Sequence, residues 1–253
     1  MKSSEEIFKR ANELHLSGNI QEAQDIYLEL IKTHKKNNKL FFLLGTTFLQ
    51  QKKYDQSINY LNDSISLDPS FPNPYNNLGI ALTETTNYLE AKKNYDKAIK
   101  LNKNYIDAYL NRGISLNKLE RYDEAILDFK IVIKANPNNS KAYNNLGNTF
   151  KYQENYRESI LCYQKAISID PNFLEALGNM SSIFHIQKKY QESLIYLKKI
   201  FELDKNFKGL VEKIILDKMH IFDWEDLSKY IDKIKQQLSE DKTFDPLFIH
   251  YLL

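Results

Sequence analysis

Residues 75–98 read YNNLGIALTETTNYLEAKKNYDKA, and the outline returns at 109–132 as YLNRGISLNKLERYDEAILDFKIV and at 143–166 as YNNLGNTFKYQENYRESILCYQKA. The fixed point of all three is a glycine, and Gly45, Gly79, Gly113 and Gly147 stand 34 residues apart, with Ala11 one step before them and Ser181 one step after. A fixed recurrence of one small residue predicts a stack of similar helical units, each touching mainly its neighbours, with function spread over a surface.

Other positions keep the same register. Phe41, Tyr75, Tyr109, Tyr143 and Leu177 lie four before the small residue, and Phe48, Leu82, Leu116, Phe150 and Phe184 lie three after it. Tyr54, Tyr88, Tyr122, Tyr156 and Tyr190 follow, each three residues before a Ser or Ala (Ser57, Ala91, Ala125, Ser159, Ser193). Apolar spacings of three and four, as in Tyr75, Leu78, Leu82 and then Tyr88, Ala91, Tyr95, Ala98, describe a helical face twice per unit. Each unit is therefore a pair of helices, with small residues admitting the rings of the partner helix. Second helices should stop at Asp68-Pro69, Asn136-Pro137 and Asp170-Pro171, because proline cannot continue a helix. Asn102-Lys103-Asn104 and Asp204-Lys205-Asn206 replace proline elsewhere, and those junctions are expected to be looser.

These residues resemble the tetratricopeptide repeat family over six units, residues 4–207, most strongly at NNLG (76–79 and 144–147), LNRG (110–113) and LGNMS (177–181). The resemblance implies an all-α, right-handed superhelical solenoid of antiparallel helix pairs. The first unit, with Ala11 for glycine and Gly18 in its inter-helix turn, fits a cap. Residues 208–253 read as a degenerate seventh pair, with Val211, Ile214 and Ile215 in its first helix and Leu227, Ile231 and Ile234 in its second, followed by a carboxy-terminal linker segment.

Composition sets the function classes. Thirty-five Lys and Arg against thirty-three Asp and Glu leave a net charge of +2, so no basic stripe points to nucleic acid. The 42% hydrophobic content is spread in helical periods, without a membrane-spanning run. The start, Met1-Lys2-Ser3-Ser4-Glu5-Glu6, lacks the pattern of a secretory signal, which makes the cytoplasm the expected location. The single Cys162 reads as a small packing residue. His15, His34, His185, His220 and His250 form no metal-ligand spacing, and no glycine-rich phosphate loop accompanies them. Carboxylates such as Glu90, Asp123 and Glu124 are expected on solvated faces, so no enzyme chemistry, metal or cofactor is read from this chain.

One polar pattern follows the 34-residue step. Asn77, Asn111, Asn145 and Asn179 each lie two residues before the small residue. In the resemblance, first helices line the concave wall, so these positions stack into a ladder. A carboxamide offers one acceptor and two donors, suited to bracketing the backbone of an extended peptide without reading its sequence. Similar ladders are implied by resemblance to the repeat domains of O-linked N-acetylglucosamine transferases. Asn76 and Asn144 add amides beside two rungs, and Asn73, Asn117 and Asn148 are expected on or near the wall. A two-carboxylate clamp, as in chaperone-binding members of the family, fits less well because it needs a lysine where Asn144 stands.

The segment Met219–Asp226, MHIFDWED, followed by an amphipathic helix over Leu227–Leu238 and then Asp245-Pro246-Leu247-Phe248, resembles the junction between repeats and catalytic domain in bacterial relatives of those transferases. Trp224, the only tryptophan, also reads as an aromatic plug on the end of the stack. The apolar run to Leu253 is expected to meet either a downstream domain or a partner. The leading expectation is a scaffold that binds an extended segment of another protein. The second is the substrate-recruiting arm of a protein glycosyltransferase whose catalytic domain lies outside this chain. Self-association through the convex faces or the ends is compatible with either.

Overall fold

Apolar residues spaced by three and four, interrupted by short polar connections, fold as the spacing predicts. The computed structural model describes residues 3–207 and 209–232, in two compact units, 1–137 and 138–253. The described residues are helical and include no strand. The first unit holds four antiparallel pairs: α1 (Ser4–Leu16) with α2 (Ile20–Thr33), α3 (Asn38–Gln50) with α4 (Tyr54–Leu67), α5 (Pro72–Glu84) with α6 (Tyr88–Leu101), and α7 (Ile106–Lys118) with α8 (Tyr122–Ala135). The second holds α9 (Ser140–Tyr152) with α10 (Tyr156–Ile169), α11 (Leu174–Ile186) with α12 (Tyr190–Leu203), and α13 (Leu210–His220) packed on α12. Residues 227–232 are helical as well, whereas the rest of the expected helix to Leu238 and the run from Asp245 to Leu253 lie outside the described residues.

The repeating glycine marks where the two helices of a pair come closest. A Cβ built on Gly79 would stand 2.5 Å from the ring of Tyr95, and one on Gly147 would stand 2.6 Å from that of Tyr163. Both rings belong to side chains at most 1% exposed. Each of the four glycine-bearing pairs thus buries a large side chain of its second helix directly on the first helix's backbone.

Turns within pairs follow a rule that composition hides. Lys52, Thr86, Glu120, Glu154 and Lys188, again 34 apart, all adopt positive φ between 58 and 62°, and Gly18 holds the corresponding place in the first pair. The next residue's N–H then bonds back to the carbonyl of the large residue in the preceding helix, as in Lys53 N to Phe48 O, 2.9 Å, and Asn155 N to Phe150 O, 2.8 Å. This is the left-handed helix ending usually made by glycine.

Turns between pairs are closed by a side chain rather than by proline. Asn102 Oδ1 accepts from Asn104 N at 3.0 Å and Asp204 Oδ1 from Asn206 N at 2.9 Å, as Asp68 Oδ1 does from Ser70 N and Asp170 Oδ1 from Asn172 N. The two proline-free junctions therefore share the hydrogen-bonded turn of the others, because the carboxylate or amide organises it. The end of the second unit also differs from expectation. Trp224 is 58% exposed, and among the described residues it is Tyr230 that packs inward, 5% exposed and edge-to-face on Phe201 with centroids 5.3 Å apart.

Not every carboxylate is solvated. Asp128 is 2% exposed and receives Arg112 through two bonds, Nε to Oδ2 at 2.8 Å and Nη2 to Oδ1 at 2.6 Å, while Arg112 Nη1 reaches Asp96 at 2.6 Å. Arg112 stands where Leu44, Leu78, Leu146 and Met180 stand in other pairs. Burial alone would weaken its charge, but Asp128 and Asp96 hold it protonated and move its pKa upward.

Two stability outcomes follow. Gly79→Ala should destabilise the protein by about 1–3 kcal/mol in chemical denaturation, because the Tyr95 ring cannot yield. Arg112→Met should cost about 3–5 kcal/mol, the usual result of stranding a buried carboxylate; a neutral effect in the same assay would show that Asp128 gains no net support from Arg112.

Candidate peptide-binding wall

In both units the first helices of successive pairs touch one another, α3 with α5, α5 with α7, and α9 with α11. In each unit they form a closely spaced wall that carries two ladder positions: Asn77 on α5 and Asn111 on α7 in the first, Asn145 on α9 and Asn179 on α11 in the second. All four are half-buried, so each side chain is partly covered by the protein and partly open to solvent.

Three of the four are held by a polar group on the first helix of the preceding pair. In the first unit Asn111 Nδ2 donates to Asn76 Oδ1 at 3.1 Å, and Asn77 Nδ2 donates to Thr46 Oγ1 at 3.0 Å. In the second, Asn179 Nδ2 donates to Asn144 Oδ1 at 2.9 Å. Asn76 and Asn144, read from sequence as further groove amides, are 5 and 7% exposed and accept from the rung of the following pair. They orient rungs from beneath. Asn76 also steadies Asn77, donating to its Oδ1 at 3.2 Å. A carboxamide fixed by one N–H keeps a second N–H and an acceptor lone pair for a ligand.

The remaining wall residues divide. Asn148 is half-buried on α9 and accepts from the Tyr163 hydroxyl at 2.7 Å. Asn117 is half-buried on α7, and Asn73 half-buried in the first turn of α5. Tyrosines of second helices reach the wall from behind in three pairs. Tyr27 donates to Asn12 at 2.7 Å, Tyr163 to Asn148, and Tyr95 lies 3.2 Å from Thr83 Oγ1. Burial pushes the Tyr27 phenol up to about 12 and raises those of Tyr95 and Tyr163 further, so all three remain neutral hydroxyls.

Toward α1 the wall of the first unit turns apolar. Leu43 holds the ladder position in α3, and with Phe8, Leu16, Phe42 and Phe71 it lines a cleft of about 610 Å³. Sequence reasoning passed over this cleft, although Leu43 and Phe42, standing where Asn77 and Asn76 stand one step later, were its signal. Among the described residues no group of three or more His, Cys, Asp or Glu could hold a metal ion, and no described helix is long and apolar enough to cross a membrane.

Comparison with known proteins bears on this arrangement. Family models described as "Tetratricopeptide repeat" match residues 72–105, 106–139, 140–173 and 174–207, and one described as "TPR repeat" matches residues 45–85. No curated protein matches the chain. Among solved structures, a tetratricopeptide repeat protein from Parabacteroides merdae is similar with a TM-score of 0.73 at 18% identity, covering 99% of this chain and 97% of that one. MamA from Desulfovibrio magneticus RS-1 is similar with a TM-score of 0.61 at 24% identity, covering 68% of this chain and 97% of its own. YrrB, described as a TPR protein with an unusual peptide-binding site, is similar with a TM-score of 0.58 at 17% identity, covering 74% of this chain and 96% of its own.

The bond between Asn144 and Asn179 is measurable. A double-mutant cycle with alanine at both positions, read by chemical denaturation, should give a coupling energy of about 0.5–1.5 kcal/mol; additive effects would mean that Asn144 does not hold the rung.

Proposed function

Because the chain belongs to the tetratricopeptide repeat family, we propose that it is a protein-interaction scaffold whose first-helix wall binds extended segments of other proteins. The observation that carries this reading is the pinned carboxamide. Asn77, Asn111 and Asn179 are each oriented by a polar group of the preceding pair and half-open to solvent, which suits bonding to a peptide backbone whatever its side chains. Preorganisation matters because a freely rotating amide would lose conformational entropy on binding. Asn145 supplies the equivalent rung on α9. In the first unit the cleft at Phe8, Phe42 and Leu43 would take large apolar side chains, so a segment bound there pairs its backbone at Asn77 and Asn111 and anchors an apolar end toward α1. The similarity to YrrB supports peptide binding as the general use of such a wall. The cytoplasm is the compartment we assign to it.

A second reading, the recruiting arm of a protein glycosyltransferase, rests on residues 219–226. There Asp223 is fixed by Lys218 Nζ at 2.6 Å, while Phe222 and Trp224 beside it are 79 and 58% exposed, as a docking edge for a following domain would be. Both readings use the same wall. In a protein that carries such a domain, Trp224→Ala would impair glycosylation of a protein substrate while leaving peptide affinity unchanged.

The wall is tested with peptides selected from a random display library on the intact protein. Replacing Asn111, Asn145 and Asn179 together by Ala should weaken the selected peptides roughly 100-fold, at about 1 kcal/mol for each bond, with helicity by circular dichroism retained. Unchanged affinity in that triple variant sinks the proposal, and loss of helicity would be resolved by repeating the measurement with each single substitution.

A further inference from the structure

Three repeat lengths separate two versions of one constellation. Gly79, Thr83, Tyr95 and Ser115 correspond to Ser181, His185, Leu197 and Asp217. In the first set, Thr83 Oγ1 lies 2.9 Å from Ser115 Oγ across successive first helices, and the Tyr95 hydroxyl lies 3.2 Å from Thr83. In the second, His185 Nδ1 and Asp217 Oδ1 make the same inter-helix link at 2.5 Å. The tyrosine, however, is replaced by the shorter Leu197. Beside it opens a cavity of about 320 Å³, lined by His185, Ile186, Ser193, Leu197, Leu216 and Asp217, near the small end of the 300–1,000 Å³ usual for ligand pockets.

Two buried polar atoms of these lining residues lack a hydrogen-bond partner among the described residues: Asp217 Oδ2 and Ser193 Oγ, on residues 1% exposed. Neither is a general feature of the fold. Ser57 and Ser159, the counterparts of Ser193, donate to Gly45 O at 2.8 Å and Gly147 O at 2.7 Å. Counterparts of Asp217 are Thr47, Ala81, Ser115, Thr149 and Ile183, all buried and uncharged. A carboxylate in that place, with one oxygen unpaired, is costly unless a donor reaches it.

The walls say what kind of donor. Ile186, Leu197 and Leu216 call for an apolar body. Lys213 also lines the cavity, and Lys151, whose pKa is lowered by burial and by Lys213, lies within its field, so a cationic donor is disfavoured. A phenol meets both demands, donating to a carboxylate and accepting from a serine hydroxyl. We propose that this cavity receives a tyrosine side chain of a bound protein segment, whose hydroxyl takes beside His185 and Asp217 the place that the Tyr95 hydroxyl has beside Thr83 and Ser115, donating to Asp217 and accepting from Ser193. The proposal rests on the reading of the wall as a binding surface for extended segments. Asn179 lies on the same helix, three residues before Ser182, which also lines the cavity.

Methyl NMR titration of the intact chain tests it, with p-cresol, toluene and a capped alanine–tyrosine–alanine peptide as probes. p-Cresol should saturably shift the Ile186, Leu197 and Leu216 methyls, toluene should bind about tenfold or more weakly for want of the donor, and the peptide should bind more tightly than p-cresol. The variant Ser181→Gly/Leu197→Tyr rebuilds the Gly79 and Tyr95 pair and should abolish binding of all three by filling the cavity from within. Equal affinity for p-cresol and toluene, the absence of saturable shifts, or a peptide no tighter than p-cresol overturns the proposal. Asn179→Ala should weaken the peptide and leave p-cresol untouched. Peptide binding that survives Asn179→Ala but is lost in the filled-cavity variant supports the tyrosine pocket and counts against the amide wall.

Discussion

The fold depends on one close approach made in four of the pairs, the backbone of the first helix pressed against a large side chain of its second helix at a glycine with no room for a methyl group. Tyr95 on Gly79 and Tyr163 on Gly147 show the tightest cases, and Leu61 on Gly45 and Phe129 on Gly113 repeat the geometry with other shapes. Spacing between the helices of a pair sets where the next pair can dock, so the contact propagates through each unit. The same contact carries tyrosine hydroxyls through the pair to the opposite face, where they meet Asn12, Thr83 and Asn148. Packing and polar presentation are thus one arrangement viewed from its two ends.

Polar side chains on the first-helix wall play two parts. The buried Asn76 and Asn144, and the half-buried Thr46, are consumed in bonds between successive pairs. Three of the ladder amides are aimed by them. This division explains how a half-buried amide can both stabilise a stack and remain useful to a ligand, since its functional groups are more numerous than its internal bonds. The transition from Leu43 to Asn77 within the first unit adds a direction to the surface, apolar at one end and amide-lined beyond.

Much of this was legible in the amino-acid sequence because it is local and periodic. Helix pairs, their small-residue contacts and the ladder register all follow from the 34-residue step. What escaped depends on partners far apart in the chain. Nothing near Asp128 announces its burial, which is set by Arg112 sixteen residues earlier; the available signal was an arginine where other units have leucine or methionine. Asp217 escaped likewise, its partner His185 being 32 residues away. Turn geometry was hidden by composition, since Lys52, Thr86 and Glu154 do not advertise a left-handed backbone, and only comparison with Gly18 makes the place visible. Trp224 misled because size suggested a plug, whereas Tyr230 occupies the place that faces Phe201.

The exposed Trp224 has an optical consequence. Seventeen tyrosines and one indole dominate the near-ultraviolet absorbance, and the indole sits beside the last described packing contacts of the second unit. Its emission will therefore follow loosening of α13 and the Tyr230 contact and be nearly blind to events around α1 to α4. Tyrosine absorbance, led by the enclosed Tyr27, Tyr95 and Tyr163, will follow the interiors of the pairs. Fraying from the carboxy-terminal side and melting of the stack can thus be separated in one unlabelled sample, with no reporter engineered into the protein.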